Sequence, residues 1–225
     1  MKNLFKLIFV SISTFSFAHA QGLQNSVDSV SYALGQDIGR SLVGTGATLN
    51  AEVLLQSLNE AISGKPSLFN EEQSMTIIQT AMRKAYEEKA AKAIKVNEDF
   101  LESNKTKPNI VVTPEGLQYE VLVQGTGANP LATDEVEVHY EGKLIDGTKF
   151  DSSYDRNEPI VLTLNRVIEG WKIGIPLMKV GSKYRFYVPA SLGYGERAQG
   201  EIPAFSTLIF DVELLSIKEK VDEPE

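Results

Sequence analysis

The chain has 225 residues, 42% of them apolar, which is enough for a packed core and excludes wholesale disorder. A formal charge of -8 excludes binding to nucleic acid or anionic lipid driven by phosphate neutralisation. The absence of cysteine excludes disulfides, thiolate metal sites, a cysteine nucleophile and a lipid-modified N-terminal cysteine.

Residues 1–20 read as a targeting segment. Lys2 and Lys6 give a positive start, Leu7 to Phe17 is an apolar stretch broken only by Ser and Thr, and Ala18-His19-Ala20 fits a small-x-small cleavage site. The run is shorter than the roughly 20 residues that span a bilayer, so cleavage is expected rather than a retained anchor. The expected destination is the periplasm or the medium, as a secreted protein of a bacterial cell envelope, with no membrane insertion after cleavage.

From Val27 to Asn104 the apolar spacing is helical. Val27, Val30, Leu34, Ile38 and Leu42 line one face, and Gly44 and Gly46 end that helix. A second helix starts after Asn50 as N-cap, carries Val53, Leu54, Leu58, Ala61 and Ile62, and stops at Gly64-Lys65-Pro66. A third starts at Asn70, with Gln73 at the capping-box position, and meets no proline or glycine through Ser103. At about 50 Å it is too long for a small domain. Its roughly heptad row, Met75, Ile78, Met82, Ala85, Lys89, Val96 and Phe100, needs a partner. A homodimer through these N-terminal helices is expected, with a monomeric helical hairpin as the alternative.

Asn104 to Asn109 is polar, contains Pro108 and marks a boundary, after which the period becomes two. Val136, Val138 and Tyr140 share a strand face. Tyr184, Phe186 and Val188 alternate with Arg185 and Tyr187, and Leu208, Phe210, Val212 and Leu214 alternate with Ile209, Asp211 and Glu213. The connections are mostly too short for crossovers, so the strands are expected to be antiparallel. One short helix, near Gly170 to Met178, presents Trp171, Ile175 and Met178 to one side, and Pro176 weakens its last turn. The fold class is α+β: a curved antiparallel β-sheet wrapped around one short helix, preceded by an all-α dimerisation domain ending in a long helix. The expected domains are a leader at 1–20, helices at 21–104, the sheet domain at 105–220 and an acidic tail at 221–225.

No Ser-His-Asp arrangement and no phosphate-cradling glycine loop is present. His139 is the one histidine left after export, and a lone strand histidine is a structural residue more often than a ligand. Asp146, Asp151, Asp155 and Glu158 lie in turn-like sequence and read as turn residues rather than an acid/base pair. What remains is an aromatic set, Tyr140, Phe150, Trp171, Tyr194 and Phe210, which alone reads as core before it reads as a pocket, because aromatic stripes are usually core.

Seven blocks decide between those readings. They are Val138-His139-Tyr140-Glu141-Gly142, Gly147-Thr148-Lys149-Phe150-Asp151-Ser152-Ser153, Val167-Ile168-Glu169-Gly170-Trp171, Leu177-Met178-Lys179-Val180-Gly181, Leu192-Gly193-Tyr194-Gly195, Ile202-Pro203, and Leu208 to Leu214. In this order they resemble the FK506-binding family of peptidyl-prolyl cis/trans isomerases. The N-terminal half, with Ser31-Tyr32-Ala33-Leu34-Gly35 and a long helix, is similar to the dimeric envelope branch of macrophage-infectivity-potentiator and FkpA-like proteins.

The resemblance implies an FKBP-like fold, no cofactor, no metal and a pocket. Trp171 would be its floor, and Tyr140, Phe150 and Phe210 its walls. Val167, Ile168, Ile160 and Ile202 would form the substrate-binding sides, the Ile168 N–H would hold the substrate chain, and the Tyr194 hydroxyl would meet a substrate carbonyl. Asp151 would join a polar network nearby. The implied partners are proline-containing unfolded or exported polypeptides, together with FK506- or rapamycin-type inhibitors. Three positions depart from the pattern. Ile160 stands where many members carry an aromatic wall residue, Glu196 to Glu201 is a short polar loop, and Pro176 lies under Trp171. Two other readings compete: a dimeric chaperone that uses the fold as a peptide clamp, and a structural or adhesive secreted protein.

Overall fold

Asparagine side chains start all three long helices. The structure is a computed structural model that describes Leu23 and residues 25–218. The leader and acidic-tail readings lie outside those residues. In α1 (Ser26–Thr45) the Asn25 side chain accepts from the Asp28 N–H at 2.9 Å. In α2 (Ala51–Ile62) Asn50 accepts from the N–H groups of Glu52 and Val53. In α3 (Glu71–Asn104) Asn70 and Gln73 form the reciprocal capping box that the sequence predicts, with N–H to oxygen distances of 2.8 and 3.0 Å.

The chain divides into two compact units, parted between Ala47 and Thr48. The described part of the first is mainly α1, which ends at Gly46, a left-handed residue at φ 71° whose N–H caps the Val43 carbonyl. No α1 side chain is buried, and the predicted stripe Val27, Val30, Leu34 and Ile38 keeps 43–70% of its surface exposed.

The second unit holds α2, α3 and the sheet. Most of α3 is exposed, but its last three turns lose exposure at Ala93, Asn97, Phe100, Leu101 and Asn104, a single helical stripe. Asn104 is fully buried and donates to the Gln118 side chain at 3.0 Å, and Gln118 donates to the Leu101 carbonyl at 2.9 Å. The Phe100 ring lies 6.1 Å from that of Tyr187.

The strands are β1 (Val111–Val112), β2 (Gln118–Val123), β3 (Glu135–Leu144), β4 (Lys149–Ser152), β5 (Ile160–Thr163), β6 (Lys183–Val188) and β7 (Leu208–Ile217). They form one sheet in the order β1-β2-β6-β7-β3-β4, every pair antiparallel. β3 is shared: residues 135–138 pair with β5 and residues 141–143 with β4. Register shifts opposite Glu137/Val138 and Gly142/Lys143 leave one extra residue on each partner strand, Leu215 on β7 and Phe150 on β4, and such bulges add to the curl of the sheet. Inward residues follow the period of two: Val136, Val138, Tyr184, Phe186, Val188, Leu208, Phe210, Val212 and Leu214 join one core. Tyr187 breaks the alternation. It faces the other side and is still buried, because Phe100 of α3 covers it.

The predicted short helix is α4 (Glu169–Gly174), followed by a 3₁₀ turn at Ile175–Leu177. Pro176 has no N–H to continue the α-helical pattern, which explains the change of geometry. Gly170 and Gly174 stand one turn apart against β6. A Cβ on Gly170 would lie 2.5 Å from a Val188 methyl, and one on Gly174 2.6 Å from the Phe186 ring. Two missing side chains therefore bring the helix backbone down onto β6 and seat Trp171 beside the sheet. Gly174→Ala should lower stability by about 1–3 kcal/mol through overpacking. Urea unfolding followed by the fluorescence of Trp171, the one tryptophan in the chain, measures it; a parent-like midpoint would show that the contact can open freely.

Candidate active site

The register of β3 with β7 sets Gly142 opposite Phe210 and Tyr140 opposite Val212. A Cβ on Gly142 would lie 2.5 Å from the Phe150 ring and 2.9 Å from that of Phe210. Its absence leaves room for those rings to meet edge to face, centroids 5.6 Å apart at 85°. Trp171, brought in by α4, meets Tyr140 at 5.2 Å and 79°, and Phe210 at 5.1 Å and 76°. Edge-to-face contact is a favoured arrangement of aromatic quadrupoles. The four rings thus hold one another at fixed angles.

They line a cavity of about 810 Å³, within the range of small-ligand pockets. All ten residues singled out from the sequence face it. Tyr140, Phe150, Asp151 and Phe210 come from the strands, and Trp171 from α4. Ile160 lies on β5, Val167 and Ile168 on the approach to α4, and Tyr194 and Ile202 on the connection between β6 and β7. Leu162 and Arg166 line it as well and carried no signal in the sequence, and so do Gln199, Gly200 and Glu201 of the short polar loop that the sequence marked at Glu196 to Glu201.

One polar cluster borders the rings. The Tyr140 hydroxyl donates to the Asp151 carboxylate, and Arg156 donates to Asp151 at 2.5 Å and to the Tyr140 oxygen at 3.2 Å. Burial pushes the Tyr140 hydroxyl above its ordinary pKa, and the bond to Asp151 adds to this. Burial alone would raise the Asp151 carboxyl, but the Tyr140 hydroxyl and the Arg156 guanidinium outweigh it and hold it below the usual value. Asp151 is therefore no turn residue: it lies on β4 inside the site. Arg156, five residues on in the turn that follows, had no sequence signal of its own.

Several donors at the cavity residues are unpaired among the described residues, three of them at positions singled out from the sequence. The Trp171 Nε1–H is buried without a partner. The Ile168 N–H and the Tyr194 hydroxyl have no hydrogen-bond partner among the described residues, and Tyr194 is 38% exposed. The remaining candidates lie elsewhere. His139 sits behind the pocket, with Nδ1 2.9 Å from the Ser153 hydroxyl and its ring stacked on Tyr154 at 4.6 Å. Asp146 accepts from the Thr148 N–H in a turn, which lowers its pKa, and Asp155 pairs with Lys149.

An antiparallel sheet curled on a short helix, with an aromatic cavity at their junction, defines a class of small-molecule and peptide binders. The comparisons narrow it. The family model for FKBP-type peptidyl-prolyl cis-trans isomerase matches residues 127–215, and that for the domain amino terminal to it matches residues 27–121. The FKBP-type peptidyl-prolyl cis-trans isomerase FkpA of Aeromonas hydrophila is 43% identical over 201 residues, 83% of this chain and 75% of that protein. Outer membrane protein MIP of Legionella longbeachae is 39% identical over 207 residues, 88% of this chain and 89% of that one. The crystal structure of FkpA from Escherichia coli superimposes with a TM-score of 0.69 at 31% identity, over 87% of this chain and 98% of that one. The chain belongs to the FKBP-type peptidyl-prolyl cis-trans isomerases. It is an enzyme that accelerates rotation about the bond preceding proline.

Gly142→Ala should force Phe150 and Phe210 apart and reduce kcat/KM on a proline tetrapeptide by about tenfold, equivalent to roughly 1.4 kcal/mol. A folded variant with the parent rate would mean that the contact between those rings is dispensable.

Proposed function

We propose that prolyl isomerisation takes place in this cavity through binding alone, with no covalent step. Resonance makes the C–N bond partly double and sets a barrier of about 18–20 kcal/mol. The twisted transition state loses that resonance and becomes less polar. A ring-lined hollow favours it over the planar, dipolar ground state, and each 1.36 kcal/mol of that preference is worth about tenfold. Uncatalysed rotation takes tens of seconds, so a few kcal/mol suffices.

In this reading Trp171 is the floor under the pyrrolidine ring, and Tyr140, Phe150 and Phe210 hold its sides. Val167, Ile160 and Ile202 flank it. The free Ile168 N–H takes a carbonyl of the substrate chain, and the free Tyr194 hydroxyl a second one at the rim. Asp151 and Arg156 fix the Tyr140 hydroxyl and with it the ring. The observation that carries this is the meeting of Tyr140, Trp171 and Phe210 at about 5–6 Å with unpaired donors beside them. FK506- or rapamycin-type inhibitors would compete for the same hollow, with less ring stacking at Ile160 than an aromatic residue gives.

Tyr140→Ala, Asp151→Ala and Phe210→Ala should each reduce kcat/KM on a proline tetrapeptide by about tenfold or more while unfolding stays cooperative. Parent rates in all three would overturn the assignment of the pocket.

The helices support a second part of the proposal: residues 21–104 join two copies, each carrying an isomerase domain at 105–220, after export and loss of a leader at 1–20. The destination is the bacterial envelope, and the clients are unfolded or exported polypeptides, which the helical arms hold as a chaperone would. The support is the unburied apolar stripe of α1, together with Val53, Leu54, Leu58 and Ile62 of α2, which are 38–77% exposed in a single chain. Among the described residues no helix is long and apolar enough to cross a membrane. Sedimentation of the mature chain should give a dimer, and Leu34→Asp with Ile38→Asp should give a monomer. The monomer should keep its rate on tetrapeptides and lose the ability to suppress aggregation of an unfolded protein. A monomeric parent would overturn the dimer reading.

A further inference from the structure

The connection between β6 and β7 carries one wall of the cavity, and it is anchored to a residue 110 positions away. Gln199, Gly200, Glu201 and Ile202 line the cavity, and Gln199 and Ile202 exchange backbone hydrogen bonds at 2.9 Å. At the base of the loop the Phe205 N–H donates to the Gly195 carbonyl at 2.8 Å. Phe205 has φ 64°, a left-handed conformation that a bulky residue keeps only when its surroundings hold it there. Two residues further on, Thr207 is buried, and its N–H donates to the Asn97 side-chain oxygen at 2.6 Å. The Asn97 amide nitrogen donates to the Ala93 carbonyl at 2.9 Å, so α3 itself fixes which way the amide faces. No other acceptor serves the Thr207 N–H among the described residues.

We propose that Asn97 of α3 is a positioning residue for the isomerase reaction. By accepting the Thr207 N–H it pins the foot of the loop whose other end carries Tyr194 and whose tip carries Gln199 to Ile202. The inference rests on the cavity being where substrate binds. Asn97 touches no substrate. It sets where that wall stands, and hence which residues beside proline fit. Glu201 lines that wall and makes no ion pair among the described residues, so a shift of the wall would change the charge met by the neighbours of the proline. The long helix then acts on catalysis as well as on spacing.

The test uses the full mature chain and proline tetrapeptides with Leu, Ala or Glu before proline. Asn97→Ala should reduce kcat/KM by about threefold to tenfold on the Leu peptide, because a slightly misplaced wall loses productive alignment. It should also change the Leu-to-Glu preference by about twofold or more. Loss of folded protein alone would scale all three substrates equally and leave that preference untouched. Asn97→Asp keeps the acceptor oxygen for the Thr207 N–H but loses the bond to the Ala93 carbonyl, so it should recover part of the loss in both readouts. Parent rates and preference in folded Asn97→Ala, an equal loss on all peptides, or an Asp variant as impaired as the Ala variant would each overturn the proposal. Phe210→Ala serves as the control for the pocket itself: if it is impaired while Asn97→Ala is not, only the role of Asn97 fails, and if it is unimpaired the pocket reading fails.

Discussion

The close contact of α4 with β6 is the constraint on which the site depends. Backbone meets sheet at Gly170 and Gly174 with no layer of helix side chains between, since a Cβ at either position would lie about 2.5 Å from β6 atoms. Trp171 follows the first of these glycines and is carried down with the backbone until its ring reaches Tyr140 and Phe210. A helix held off at ordinary side-chain distance would leave Trp171 high and the cavity without a floor. Protein interiors resist such displacement because they are close-packed, so a one-carbon change under the helix is felt at the opening.

Gly142 does the same for the wall. It is the one place along β3 where the strand must be thin, because two rings from β4 and β7 converge over it. The register shift between Gly142 and Lys143 lies at the same spot and leaves Phe150 as the extra residue of β4, so the bulge of β4 and the thinness of β3 together set that ring over the strand. The polar side follows from that geometry. Once Tyr140 is turned inward and buried, its hydroxyl needs an acceptor, and Asp151, paired with Gly142 across β3 and β4, supplies one. The carboxylate in turn needs a counter-charge, and Arg156 provides it. Each group answers the desolvation of the one before.

Much of this was legible in the sequence, for local reasons. Asn70 and Gln73 announce the start of α3 because capping is settled within four residues. The inward strand residues announce themselves because a strand's period of two survives any tertiary arrangement. The aromatic set alone favoured a core, and only the order of the surrounding blocks turned the reading to a cavity. What stayed hidden depends on chain closure. Arg156 sits in an unremarkable turn and gains meaning only where it meets Asp151. The loop Glu196 to Glu201 stood out as short and polar, but which of its residues wall the cavity depends on how the chain returns from β6 to β7. Tyr187 looked outward and wet because nothing in its own strand tells that Phe100, 87 positions earlier in the chain, will cover it.

That last miss bears on the nature of α3. Its first turns keep their apolar row exposed, which is a surface looking for a partner. Its last three turns are seated on the outer face of the sheet through Phe100 on Tyr187, Asn104 on Gln118 and Asn97 on Thr207. A flexible tether would make no buried hydrogen bonds to what it carries, since each would order the chain at an entropic cost with no return in reach. Buried polar contacts of this kind instead fix direction, because an amide left unpaired inside is costly enough to exclude neighbouring orientations. The helix therefore leaves the catalytic domain at a defined point and angle. Whatever its far end joins, it is tied to the middle of the sheet, at β6 and at the start of β7, between which the chain carries one wall of the cavity.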